Sequence, residues 1–248
     1  MKTWLKRIWY WGRKHRCNVC FAHIRTWIEV GLASEVFNNH EMVGAGRRKR
    51  GCPVCHSTDR DRLMLLFFET QKAYLLEKVQ PSILHFAPEP YLNSLLKNIS
   101  SHYQKGDMFT EGYQYPSDTL KMDIQQIPFP DNSWDMVIAN HVLEHVENDA
   151  LAMSEVLRVL KSNGIAILQV PIATDLKSTI EVPSGTDDLS YEKITGQFDH
   201  RRLYGMDYFD RLKQAGFELE FWSNDNLNSY LGLNPLERVV VARKKSHS

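Results

Sequence analysis

The chain of 248 residues is long enough for one large α/β domain with a small appendage, and its apolar content of 43% suffices for a sizeable core. Thirty Lys and Arg balance 30 Asp and Glu, but residues 1–62 hold 13 basic against 5 acidic side chains and the remainder 17 against 25, so a basic head (+8) precedes an acidic body (−8). The densest apolar run, Leu63 to Phe68, is far shorter than the roughly 20 residues that cross a bilayer, and the N-terminus has neither a long apolar core nor a small-residue cleavage site; a cytoplasmic protein without a transmembrane helix is expected.

Residues 1–16 place Trp4, Ile8 and Trp11 at helical spacing, with Leu5 and Trp9 beside them and Lys2, Lys6, Arg7, Arg13, Lys14 and Arg16 around them. Two readings are open: a helix lying in a membrane interface, giving peripheral contact with the inner membrane, or aromatics packed on the module that follows. The four cysteines form Cys17-x-x-Cys20 and Cys52-x-x-Cys55, and two such knuckles supply the thiolates of a tetrahedral structural Zn²⁺ site. Their 31-residue spacer exceeds the usual span of about 15 to 20, so the loop is expected to carry its own structure. Disulfides are disfavoured by a reducing compartment, and neither pair has a thioredoxin-like setting. Arg-Arg-Lys-Arg at 47–50 is either a grip for phosphates or an acidic glycan, or a solvated loop.

Ser82-Ile83-Leu84-His85-Phe86-Ala87-Pro88 reads as a first strand, a second ends near Tyr103 to Asp107, and Leu120 to Ile124 gives a third. Pro128 to Ser133 is a turn by composition, and Trp134 to Ala139 a buried strand that delivers Asn140 and His141 to its carboxyl end, where open α/β sheets place ligands. A helix over 147–161 shows Ala150, Met153, Val156, Leu157 and Leu160 on one face and stops at Asn163-Gly164, before a fifth strand over 165–170. A polar segment, Gly196 to Gly205, precedes a helix from Met206 to Ala215. Phe217 to Trp222 and Arg238 to Ala242 alternate as an antiparallel pair, with no room for a helix between them.

The stretch Asp123 to Pro171, with Asp123-Ile124, Phe129-Pro130-Asp131, Trp134-Asp135, Asn140-His141-Val142-Leu143-Glu144-His145 and Arg158-Val159-Leu160, closely resembles the class I S-adenosylmethionine-dependent methyltransferases of type 11. Cys52-Pro53-Val54-Cys55 through Leu63, His85-Phe86-Ala87-Pro88-Glu89-Pro90, and Gly196 to Gly205 resemble segments of a bacterial family of this type with an N-terminal CxxC/CPxC zinc-binding segment. The resemblance implies an α/β fold: a Rossmann-like, seven-stranded, mostly parallel sheet with an antiparallel C-terminal pair, plus a small N-terminal zinc-binding module. The expected division is a basic module with its amphipathic helix at 1–62, a linking helix at 63–80 and a methyltransferase domain at 81–248.

It also implies a cofactor, S-adenosyl-L-methionine, and places residues around it. The glycine-free loop of Ala87 and Glu89 would hold its methionine end, Glu89 meeting the α-ammonium unless it is merely a helix-start acid. Asp107 is the expected ribose ligand, with Glu111 as competitor. Asp123 and the Ile124 amide would meet the adenine, and Asn140 and His141 would line the pocket. His200 is the expected general base, oriented by Asp199; His145 either faces substrate or packs under the sheet edge. Gln197, Asp199, Arg202 and Tyr204 would contact the acceptor. The implied activity is methyl transfer to a small-molecule, glycan or lipid-linked acceptor. The alternatives are an RNA methyltransferase gripping nucleic acid with its basic head, a non-catalytic binding protein, and a metallopeptidase, since His141-x-x-Glu144-His145 fits a zinc-binding pattern that requires one continuous helix through both histidines.

Overall fold

The computed structural model describes residues 2–75, 80–100, 102–109, 114–183, 185–186, 188–224 and 226–245. Helix α1 (Thr3–Trp9) leads into a strand, Trp11–Arg16, paired antiparallel with His23–Ile24; Ile28–Val30 pairs antiparallel with Arg48–Gly51, with α2 (Glu35–Asn39) between them and α3 (Asp59–Leu75) after them. The two knuckles are built alike. Cys17 N–H donates to Ala22 O and Cys52 N–H to Ser57 O, and the residue after each second cysteine, Phe21 or His56, is left-handed (φ 58° and 64°). These turns fold the thiols toward one another, above a small core of Ala22, Ile24, Trp27 and Val54.

Helix α1 turns its cations inward and its aromatics outward. Lys6 Nζ donates to His56 Nε2 at 2.7 Å and Arg7 Nη2 to Cys20 O at 2.8 Å, whereas Trp4, Ile8, Trp9 and Trp11 are each more than half exposed. The alternative in which these aromatics pack on the knuckles is therefore not what forms. No helix among the described residues is long and apolar enough to cross a membrane.

Seven strands form the main sheet: β1 (Ser82–Phe86), β2 (His102–Asp107), β3 (Leu120–Lys121), β4 (Trp134–Ala139), β5 (Leu160–Ile167), β6 (Phe217–Trp222) and β7 (Val239–Lys244). Their order is β3-β2-β1-β4-β5-β7-β6, and β7 alone runs against its neighbours. Strand periodicity sends Leu84, Phe86, Val137, Ala139 and Ala166 to one core, and Ile83, Met136, Ile138, Ile165 and Ile167 to another on the opposite face. The first core is covered by α5 (Asp149–Val159) and α7 (Tyr208–Gln214). The second is covered by α3, α4 (Pro90–Ile99) and the segment of α8 (Asn228–Leu231); α6 (Asp188–Thr195) lies over α2. Thus α3 is a layer of the fold, and residues 76–79 of the expected linker fall outside the described residues.

Several boundaries differ from expectation for local reasons. Helix α5 stops at Val159, because the carbonyls of Arg158 and Val159 accept from Asn132 and Ser133 N–H, and Leu160 already pairs with Trp134. Asn163-Gly164 is instead an irregularity inside β5, with Asn163 left-handed (φ 62°), and Ala152 replaces Ala150 on the buried face. The third strand is only Leu120–Lys121, after which Met122 turns under Gly106 and Ile124 is buried. A short helix, α8, does fit between β6 and β7. Residues 48–50 of the basic run at 47–50 are part of a strand, and Arg48 and Arg50 are held by buried Asp59 at 3.1 and 3.2 Å.

One buried cation ties the head to the body. Arg62, fully buried, donates to the carbonyls of Leu231, Ser57, Arg50 and Gly232 at 2.6 to 3.0 Å, and its guanidinium lies 3.9 Å from the Trp27 ring centroid. Arg62→Met is expected to lower unfolding free energy in urea by about 3 kcal/mol or more, since it leaves several buried acceptors unpaired. Arg62→Lys should not restore it, because one ammonium cannot span the fork. A loss below about 1 kcal/mol would show that these bonds contribute little.

Candidate active site

A cavity of about 650 Å³ opens at the carboxyl ends of β1, β2 and β4, a size that suits a drug-sized ligand. Its floor is the sheet edge, its roof is formed by residues from Gly31 to Gly46, and its far wall by Gln197 to Arg201. The roof is not a loose loop. Met42–Val43 pairs antiparallel with Ile172–Ala173, and the aromatic ring of Phe37 in α2 packs against Gly196 so closely that a Cβ there would meet it at 2.6 Å.

At one end, Ala87 follows β1 in the left-handed region (φ 47°), with its N–H donating to Gly106 O, so the chain turns sharply into α4 without a glycine. This turn sets Glu89 into a chain of buried polar groups. Its Oε2 lies 2.7 Å from His85 Nε2 and its Oε1 accepts from Asn140 Nδ2 at 2.9 Å, while His85 Nδ1 meets Tyr103 Oη at 2.8 Å. Burial alone would raise the Glu89 pKa, but His85 and Asn140 hold the carboxyl below its usual range. Asn140 Oδ1 is buried with no hydrogen-bond partner among the described residues, an acceptor that a ligand N–H would satisfy. His85 carried no signal in the sequence, because a histidine inside an apolar strand reads as core.

Asp107 ends β2, its Oδ1 accepting from Phe109 N–H at 2.7 Å, and Asp123 follows β3, its Oδ1 accepting from Gln125 N–H at 2.8 Å. Both carboxylates and Ile124 line the cavity. Glu111, the competing ribose ligand, lies outside the described residues.

The other end is built by the turn after β4. His141 is left-handed (φ 56°), and residues 140–147 form turns, so no helix presents His141 and His145 together as the peptidase reading requires. The guanidinium of Arg60 donates to His141 Nε2 at 2.8 Å and to Gly44 O at 3.0 Å, linking floor to roof. A guanidinium only donates, so His141 carries its proton on Nδ1, which faces Glu144 Oε1 at 3.3 Å. Burial, then Arg60, lowers the His141 pKa; burial would raise that of Glu144, yet His141 and its neighbours bring it down to about 2. His145 Nδ1 faces Asp199 O at 3.1 Å and Oδ2 at 3.3 Å; burial opposes its charge, but Asp199 and Glu144 prevail and raise its pKa. The His200 ring stands edge-on to His145, 4.7 Å between centroids, and burial drops its pKa to about 4.

Gln197 and Asp199 line this end, joined by Gln197 Nε2 donating to Asp199 Oδ1 at 2.7 Å. Arg202 and Tyr204 do not. Arg202 is buried, donating to the carbonyls of Leu143, Val146 and Glu147 and to Glu181, and the Tyr204 hydroxyl donates to Asp149. Arg202–Leu203 is a short strand paired with Ile180–Glu181, so alternation turns Arg202 inward; Arg201 is the neighbour that lines the cavity. The roof, Arg60, His85 and Gln125 were not singled out from sequence; the long spacer between the knuckles, with its glycines at 31, 44 and 46, was the one available sign of the roof.

Parts of the chain are similar to known proteins. A protein of Mycolicibacterium smegmatis, named a probable S-adenosylmethionine-dependent methyltransferase, is 28% identical over 108 residues, 43% of this chain and 38% of its own. A sterol 24-C-methyltransferase of Gibberella zeae is 32% identical over 111 residues, 42% of this chain and 27% of its own, so the chain spans well under half the length of both curated relatives. The crystal structure of an S-adenosylmethionine-dependent methyltransferase from Mesorhizobium loti aligns with 72% of this chain and 97% of its own at 14% identity and a TM-score of 0.47. Residues 93–168, which run from α4 to the end of β5, match the family described as a methyltransferase domain.

Proposed function

We propose that this chain is an S-adenosylmethionine-dependent methyltransferase acting on a small-molecule, glycan or lipid-linked acceptor, with its zinc-binding module at 1–62, helix 63–80 and methyltransferase domain at 81–248. The observation that carries the reading is the cavity at the carboxyl edge of a β3-β2-β1-β4-β5-β7-β6 sheet, with Glu89, Asp107, Asp123 and Asn140 around it. S-adenosylmethionine, when bound, supplies an activated sulfonium methyl. The protein has then to bind, orient and exclude water, because an in-line displacement gains most from proximity and alignment. Asp107 accepts from the ribose hydroxyls, Asp123 and the Ile124 amide meet the adenine edge, and Ala87, Glu89, Asn140 and His141 hold the methionine end. Glu89 already carries the negative charge that an α-ammonium needs. The acceptor lies against Gln197, Asp199, Arg201, His145 and His200, where a histidine handling an acceptor proton would contribute about 10² to 10⁴ in rate.

Within the 47–50 run, Arg48 and Arg50 are held by Asp59 and Arg47 faces Glu29 at 3.6 Å, so that run offers little to RNA phosphates. Asp107→Ala and Asp123→Ala are each expected to weaken S-adenosylmethionine binding at least tenfold by calorimetry. Wild-type affinity in both would overturn the pocket.

The knuckles fit a structural zinc ion. Cys17 and Cys55 Sγ are 3.8 Å apart, Cys20 and Cys52 Sγ 3.7 Å, and all four lie within 4.8 Å of one another. A tetrahedron with metal–sulfur bonds of about 2.3 Å has edges of about 3.8 Å. Purified protein is expected to carry zinc on these thiolates, and Cys52→Ser to lose it with a fall in melting temperature; metal analysis and a thermal scan check both.

Helix α1 supports peripheral contact with a membrane: its apolar side faces solvent, and Lys2, Arg13, Lys14 and Arg16 lie nearby. Sedimentation with anionic vesicles should pull down the wild type and spare the Trp4→Ser, Ile8→Ser, Trp9→Ser triple variant. Equal partition of the two would remove α1 from that role.

A further inference from the structure

The acceptor end of the cavity holds a second cluster of ligating side chains, remote in kind from the thiolates. One ligand atom each from Glu144, His145 and His200 lies within 4.8 Å of the others. Glu144 and His200 are buried, with 1% and 4% exposure. Glu144 Oε1 faces His141, while its Oε2 is buried with no hydrogen-bond partner among the described residues. A buried carboxylate oxygen in that state is costly unless something positive meets it.

The surroundings present the two imidazoles as ligands. Both groups facing His145 Nδ1, the Asp199 carbonyl and carboxylate, only accept, so the proton sits on Nδ1 and the Nε2 lone pair is left free. A carboxylate behind the far nitrogen is how metal-binding histidines are commonly oriented. His141 does the same for Glu144, its own ring pinned from behind by Arg60. The two chain segments are clamped by Arg201 N–H donating to Glu144 O at 2.7 Å, which keeps His200 over Glu144.

We propose that Glu144, His145 and His200 form a second metal site, which takes a divalent first-row transition ion through one carboxylate and two imidazoles and leaves open positions for an acceptor hydroxyl. The donor set suits zinc, manganese, cobalt or iron(II), in contrast to the sulfur set of the knuckles. With metal–ligand bonds of about 2.1 Å, ligand atoms stand up to about 4.2 Å apart, so small side-chain rotations close the cluster on an ion. Three protein ligands leave room for exchangeable ones facing the cavity.

The consequence for chemistry rests on the methyl-transfer reading above. A hydroxyl bound to the ion loses its proton to solvent more readily than a free one. Its oxygen then forms a bond to the methyl carbon as the carbon–sulfur bond breaks, and the electron pair stays on sulfur, which ends as a neutral thioether. In this arrangement His145 and His200 act through the ion and not as free bases.

The test is a zinc titration by calorimetry of the full chain whose thiolate site is already filled. One further equivalent is expected, and Co²⁺ in its place should give weak visible bands without thiolate-to-metal charge transfer. Glu144→Gln and His200→Gln should each weaken that uptake by at least about tenfold, with folding checked by circular dichroism. Should a variant not fold, the wild-type stoichiometry and cobalt spectrum decide. No further equivalent in the wild type, cobalt bound through sulfur alone, or uptake undiminished in both folded variants would overturn the site. S-adenosylmethionine titrated into the same samples separates the two readings. Cofactor binding without a second metal refutes only the site, and a second metal without cofactor binding refutes only the methyl-transfer reading.

Discussion

The buried guanidinium of Arg62 is the interaction on which the arrangement of this molecule turns. Four carbonyls from three separate places converge on it: the second knuckle, the strand before that knuckle, and the end of α8. Arg62 is also the fourth residue of α3, whose apolar side underlies the sheet, so the same few residues join the head to the main sheet. Arg60, two positions earlier, reaches the opposite way to Gly44 and His141. A displacement of the start of α3 would therefore be felt in the knuckle, the sheet cover and the cavity roof together.

The cavity has two polar ends of different character. Toward β1 and β2, Tyr103, His85, Glu89 and Asn140 form a continuous hydrogen-bonded chain that leaves a held carboxylate and an unsatisfied amide oxygen. Toward the 197–201 wall, Glu144, His145, Asp199 and His200 form a compact group whose charges are set against one another by burial. The proposed methyl transfer would use this division by holding a cationic amino acid at one end and a proton-bearing acceptor at the other.

Strands β1, β4 and the second half of β5 were legible because their residues are buried on both faces and read as short apolar runs ended by turns. Asp107 was indicated by its place just past a strand and Asp123 by the family resemblance, and both line the cavity. What was not legible depends on contacts remote in sequence. The Val159 end of α5 is decided by the 130–133 turn, and so looked like a longer helix with a cap at Asn163-Gly164. Arg201 and Arg202 are indistinguishable as text; only the pairing of Arg202–Leu203 with Ile180–Glu181 determines which faces the cavity. Arg48 and Arg50 read as a solvent-facing run because their partner, Asp59, lies across the second knuckle.

The cavity roof is also a segment of polymer whose two ends are the knuckles. Residues 21–51 leave from Cys20 and return at Cys52, whose sulfurs stand 3.7 Å apart. An ion held there acts as a cross-link closing a 31-residue loop, which in the chain-entropy picture removes about 3 to 4 kcal/mol of freedom from the unfolded chain. With an ion there, the roof would owe its persistence partly to a constraint that touches none of its side chains, and shortening or lengthening that loop would alter its entropy only logarithmically.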